Sequence, residues 1–471
     1  MTLRASSAGG IAVAALLGAG LAVELGLHFL EPRLAITWSY AHLWRSPALP
    51  WVGAALVLVL PAATLLAWRH PAVARPPGTP SWPAVLGVGV VLGAGLVVVG
   101  HRWPAASVSV DPAALVMDVA ALSLGNGRRL LLVWSLGHLW HLGTSWWPNV
   151  SNFIRGVNAL FGAASLLLLG GCARRLARTR GETAAIALLA WTAFGTFQLC
   201  IGYLEVYPAE LLATTLYLWL ALQTIDGELH PAWPVVVAAL APFWYVTLVL
   251  LAPSLVVIAV VELRRPRGLG RLALSAILAL AAAGAATLPF LGRPFAWATL
   301  AARVSEQSGR QFGLSPTSSL LPFAYIVSGY HARELVHTLL LVDGVGVLLL
   351  LAAGPWVLAQ GATDAKAVFL ALVIASHLPY FIAFDPVWGA LCDWDLFSYL
   401  AAPTSLLGAW VFVQWGRRWP DAFALLLGLA LATAGVHLLA RLNALEIDLP
   451  RHRIESPYHE PAVTQLAPAA H

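Results

Sequence analysis

A chain of 471 residues that is 59% hydrophobic and 10% charged, with a mean hydropathy of +0.78, is excluded from the ordinary soluble domains, in which roughly a quarter of residues carry charge. The net charge of +5 rests on arginine, since Lys366 is the sole lysine, and the basic residues gather beside apolar segments as topology signals do, leaving no nucleic-acid footprint. Three cysteines without CxxC spacing, Cys172, Cys200 and Cys392, argue against a disulfide framework or a cysteine metal site.

Arg4 precedes an apolar run from Gly9 to Leu30 that is longer than a signal-peptide core and lacks a small-residue cleavage site. It reads as a retained first span. Lipid cannot satisfy an exposed backbone amide, so a span needs about 20 apolar residues in a helix. Further spans are expected at roughly 50–68, 82–100, 156–173, 183–201, 209–225, 272–291, 336–354, 367–384, 398–415 and 421–440. The stretch 232–262 is too long for one upright helix and is interrupted by Pro242 and Pro253. Counted as two short spans, it brings the total to about 13.

Charge tests that count. With Arg4 inside, the loops holding Arg69 and Arg75, Arg174 to Arg180, Arg264 to Arg271, Lys366, and Arg417 with Arg418 all fall inside only when 232–262 crosses twice. The expected fold is therefore all-α: a polytopic transmembrane bundle over residues 1–440 in the plasma (inner) membrane, followed by a polar tail at 441–471. Two outer segments exceed simple connectors. Residues 101–155 carry helical patterns from Pro112 to Leu124 and from Arg128 to Leu142, and residues 292–335 are broken by Gly309, Gly313, Pro316 and Pro322. Both read as amphipathic or re-entrant helices over the outer mouth.

This orientation puts most of the carboxylates on the face away from the arginine clusters. Asp111 and Asp118 are two turns apart on one helix face. A carboxylate above a membrane cavity is desolvated enough to act as a general base toward a hydroxyl, although Asp111 before Pro112 is equally a helix cap and Asp118 suits a solvated face. A short turn between spans holds Glu205, Tyr207 and Glu210, whose tyrosines alone would make a plain aromatic belt. Asp385 and Trp388 lead into Asp393-Trp394-Asp395, where paired aspartates can share a divalent cation or hold sugar hydroxyls and tryptophans can stack on a sugar face. A solvated acidic loop is the plainer alternative. Outer arginines, among them Arg128, Arg129 and Arg310, offer forks for phosphate, or simply snorkel. His138 and His141 share a helix face. Glu24, Asp343 and His377 are ionisable groups inside spans, which usually face a partner or a cavity, and His377 can belong to the cavity of Asp385.

The outer loop with Asp111 and Asp118, the run from Asn152 to Arg175 into a basic turn, the turn from Gly202 to Glu210 and the later outer aspartates together resemble the GT-C superfamily of polytopic membrane glycosyltransferases. The resemblance covers residues 100–400 in arrangement. It implies transfer of a sugar from a polyprenyl-phosphate carrier to an acceptor on the non-cytoplasmic face, with Asp111, or else Asp118, as the catalytic base. The chain departs from that plan in having three spans before the loop, where the family has one. An inverting transfer with or without a divalent cation is thus expected. The alternative from another class is a secondary transporter or a flippase for a lipid-linked substrate, motivated by Glu24, Asp343 and His377.

Overall fold

In a computed structural model of the protein, the described residues are 59, 61–76, 87–91, 93–95, 111–122, 130–193, 200, 206–288, 326–359, 364–383, 394–417 and 423–431. They are helical, and no strand occurs among them. The labelled helices are α1 (Asp111–Ala121), α2 (Leu130–Leu142), α3 (Val150–Leu176), α4 (Arg180–Ala193), α5 (Tyr207–Asp226), α6 (Ala232–Trp244), α7 (Leu255–Leu263), α8 (Gly268–Thr287), α9 (Gly329–Ala359), α10 (Ala365–Ala383) and α11 (Ala401–Gly416). Short 3-10 helices, Val246–Ser254 and Trp394–Leu400, lead directly into α7 and α11. Among the described residues, four helical runs are long and apolar enough to cross a membrane: Val150–Leu176, Val246–Leu263, Gly268–Thr287 and Ala365–Ala383. The first expected span and the tail lie outside the described residues.

Local chemistry sets the ends. The Asn149 side chain accepts the Asn152 N–H at 3.1 Å, so α3 starts at Val150, six residues before the expected span, while Arg174 and Arg175 complement the dipole in its last turn. Helix α5 opens with Pro208 in its first turn and closes at Gly227, whose φ of 84° is readily adopted by glycine and lets its N–H reach the carbonyls of Gln223 and Thr224. Helices α1 and α2 fall within one or two residues of their expected starts and pack on each other, α1 also on α3 and α2 also on α6. Of the second long outer segment, only residues 326–335 are described, and they enter α9.

The stretch 232–262 resolves into two helical runs. Helix α6 ends at Tyr245, whose backbone is extended (φ −154°, ψ 132°), and the chain reverses there into Val246–Leu263. That run lies parallel to α5 at three levels. Thr247 bonds Glu210, the hydroxyls of Ser254 and Tyr217 are 2.5 Å apart, and Arg265 donates to the carbonyls of Thr224 and Ile225 at 2.7 and 2.6 Å. Since α6 begins close after Asp226 and ends where the Tyr245 ring meets that of Tyr207 at 5.8 Å, it covers the return.

The basic turns converge at one end. Arg180 N–H donates to the Arg75 carbonyl at 2.8 Å, Lys366 pairs with Asp226 at 2.6 Å, and Arg175 pairs with Glu228. Arg265 and Arg271 both reach Glu262, and Arg417 pairs with Glu182 at 2.8 Å. Four acidic residues thereby offset cations drawn from four separate turns. Helix α8 sits at the rim, with Leu269, Ile277 and Leu280 exposed, an apolar surface suited to lipid.

Helix α9 is broken at Asp343 (φ −160°, ψ 58°), and its second half packs closely on α11. A Cβ at Gly408 would stand 2.4 Å from the Gly346 carbonyl oxygen, so the two backbones touch where neither helix can carry a side chain.

Candidate functional site

The end of the bundle away from the arginines holds a buried polar cluster. Its first wall is the opening turn of α5, which places Tyr207 beside Tyr245 and buries Glu210 completely. The Thr247 hydroxyl donates to a Glu210 carboxylate oxygen, made possible by the parallel register of Val246–Leu263 with α5. The second wall is α10, fastened to the 3-10 turn by the Ser376 hydroxyl donating to the Leu250 carbonyl at 2.7 Å. One residue on, His377 is 1% exposed, and one helical turn farther stands Tyr380. The third wall is the 3-10 helix before α11, whose Tyr399 ring lies 4.7 Å from that of His377 and 6.3 Å from that of Tyr380. Glu210 and Tyr245 are within electrostatic reach of the same Tyr399 hydroxyl.

The histidine is held in one tautomer. Its Nδ1 lies 2.7 Å from the Val373 carbonyl, which can only accept, so Nδ1 carries the proton. Neutral His377 then presents a lone pair at Nε2. Neither that nitrogen nor the Tyr399 hydroxyl has a hydrogen-bond partner among the described residues, an arrangement that interiors rarely tolerate without a guest.

Of the residues singled out from sequence, Tyr207, Glu210 and His377 are brought together here. Asp111 opens α1, and Asp118 sits half-buried on the same helix, which packs on α2 and α3. Trp394 and Asp395 open the 3-10 helix that ends at Leu400. Glu205, Asp385, Trp388, Asp393, Arg128, Arg129 and Arg310 lie outside the described residues, as do Glu24 and Cys392. His138 and His141 each lean on a tryptophan, Trp134 at 4.7 Å and Trp140 at 4.8 Å, and no group of three metal-ligating side chains occurs among the described residues. Cys172 and Cys200 are buried thiols.

Sequence reasoning missed Tyr245, Thr247, Tyr380 and Tyr399. Each sits in an apolar run that reads as plain span, and only the reversal at Tyr245 and the 3-10 geometry before α11 turn them toward Glu210 and His377. A tyrosine recurring near the same end of several spans was the available signal.

Asp343 forms a second buried polar point. One carboxylate oxygen accepts the Gly346 N–H at 3.1 Å, which caps the second half of α9, and the other meets the Thr404 hydroxyl. Comparison of the chain with protein-family models finds no match, and a search of curated proteins finds no relative.

Proposed function

We propose that the protein is a multi-pass plasma-membrane glycosyltransferase of GT-C-like plan, with about 13 spans, moving a sugar from a polyprenyl-phosphate carrier to an acceptor at the non-cytoplasmic face. One observation carries this reading: Glu210 and His377, from stretches far apart in the chain, gather around Tyr399 at the end opposite the basic turns, with Tyr207 against the neighbouring Tyr245. Arginine turns mark the cytoplasmic side in membrane proteins, so the cluster faces the side where lipid-linked sugars are consumed in that superfamily.

In this reaction a carboxylate, Asp111 by the resemblance, removes the proton of the acceptor hydroxyl while its oxygen attacks the anomeric carbon. The bond from that carbon to the carrier phosphate breaks, and the prenyl phosphate leaves with the electron pair. Arg128, Arg129 and Arg310 are the groups suited to the leaving phosphate, and Asp393 with Asp395 to a divalent cation if one takes part. The prenyl tail fits along apolar helix surfaces such as those exposed on α8.

The test uses protein reconstituted in nanodiscs with a panel of prenyl-phosphate-linked sugars. Asp111→Asn or Asp118→Asn should cut transfer by about 100-fold or more, the usual weight of a general base. Full transfer in both variants and in Glu210→Gln removes the assignment.

A second reading, a transporter or flippase, is favoured by the break in α9 at buried Asp343, since interrupted helices and buried carboxylates mark transport pathways. Substrate flux lost in Asp343→Ala and kept in Asp111→Asn selects it.

A further inference from the structure

We infer that His377 and Tyr399 form the subsite for an uncharged hydroxylated headgroup, the sugar of the carrier lipid and not its phosphate. The inference rests on the glycosyl-transfer reading for the identity of the lipid, while its physical basis is the pair itself. His377 Nε2 can only accept, because Nδ1–H is committed to Val373. The Tyr399 hydroxyl can donate. A single alcohol hydroxyl satisfies both, giving its proton to Nε2 and taking one from Tyr399 on its lone pair.

A phosphate oxygen lacks a proton to give, so it would face the lone pair of Nε2 and sit in the field of the Glu210 carboxylate. Among the described residues, the basic side chains that pair with carboxylates gather at the opposite end, and Arg128, Arg129 and Arg310, the groups proposed for the phosphate, lie outside the described residues. The walls beside the pair are aromatic: Tyr380 and Phe397 have ring centroids 6.1 Å apart, and such faces pack on the C–H surface of a sugar while its hydroxyls reach polar tips. Burial of both polar groups, each 1% exposed, means that an empty pair leaves two hydrogen bonds unmade in a dry setting.

The experiment compares binding of a prenyl-phosphoryl hexose and of the bare prenyl phosphate to the full chain in nanodiscs. Tyr399→Phe and His377→Leu should each weaken the sugar-bearing lipid about tenfold, the weight of one hydrogen bond in a desolvated site, and leave the bare phosphate lipid unchanged. His377→Gln, whose amide oxygen can accept in place of Nε2, should recover most of the affinity. Equal losses for both lipids overturn the inference, because the pair then contacts phosphate or only supports the fold. So does the absence of any loss, which would leave a buried water as the sole guest, and so does a wild-type chain that does not prefer the sugar-bearing lipid. Turnover separates the two proposals. Sugar-selective binding without transfer by the wild type sinks the enzyme and keeps the subsite, and transfer with unaltered affinity in both variants does the reverse.

Discussion

The Asp343 carboxylate and the Thr404 hydroxyl meet across 61 residues of chain, joining the break in α9 to the first turn of α11. Thr404 has one proton and three acceptors in range, since the Leu400 and Ala401 carbonyls are 2.7 and 3.2 Å away. Asparagine at 343 suits this geometry: its oxygen caps Gly346 as the carboxylate does, and its amide N–H can donate to Thr404, freeing the hydroxyl proton for Leu400. Asp343→Asn should therefore leave stability within about 0.5 kcal/mol, whereas Asp343→Ala removes the cap and should cost about 1–2 kcal/mol. Thermal unfolding in detergent reads both. A large loss in the asparagine variant would mean that the negative charge itself is required.

Gly408 offers a purely steric prediction. Its added Cβ would lie 2.4 Å from Gly346 oxygen and 3.1 Å from the carbonyl carbon, backbone that cannot swing aside. Gly408→Ala should force α9 and α11 apart and cost about 2 kcal/mol, in the range for overpacked cores. Gly270→Ala, where nothing stands within 4 Å, is the matching control with no measurable effect.

Periodicity and charge carried the fold a long way, because hydrocarbon demands helices and arginine avoids translocation. Arginine placement asked 232–262 to divide in two, so that Arg264 to Arg271 join Arg174 to Arg180; the chain does reverse at Tyr245, and of the two runs Val246–Leu263 is long and apolar enough to cross a membrane. The register was not legible. Nothing in the one-dimensional pattern says that Tyr245 turns outward-running chain back, or that seven residues of 3-10 helix set Tyr399 against His377. Of the ionisable members of the cluster, His377 was announced by its cost in an apolar segment and Glu210 by the acidic turn between spans. The neutral members, Thr247 and Tyr399, cost little in such a segment and so gave no signal.

The Glu182 and Arg417 pair predicts a pH dependence. Burial pushes the Glu182 carboxyl up, but Arg417, with the backbone N–H groups of Arg178 and Thr179, outweighs it and holds the group below its ordinary value of 4.5. A carboxyl lowered on folding stabilises the folded state above that ordinary value, and the contribution disappears as pH falls through the lowered one. Glu182→Gln should thus cost about 1–2 kcal/mol at pH 7, at the low end for a pair whose arginine still sees solvent. The gap between variant and wild type, followed by unfolding at successive pH values, should stay constant down to 4.5 and close in more acidic buffer. A gap that widens on acidification contradicts the assignment.

Topology gives the last prediction. Ser145 is exposed just before α3, and Gly270 is exposed beside Arg271, which donates to the Leu229 carbonyl at 3.3 Å. Helix α3 has 27 residues, about 40 Å at 1.5 Å per residue, and it carries the chain from the Ser145 end to the Arg175 end. A crossing by α3 puts the two exposed sites on opposite faces of the bilayer whichever way the protein is inserted. In a background with Cys172, Cys200 and Cys392 replaced by alanine, Ser145→Cys should react with a membrane-impermeant maleimide on intact cells. Gly270→Cys should react only after permeabilisation. The reverse pattern would invert the protein and put the His377 and Tyr399 cluster on the cytoplasmic side, which ends the proposed use of lipid-linked sugars at the outer face. Labelling of both from one side would show that α3 does not cross at all.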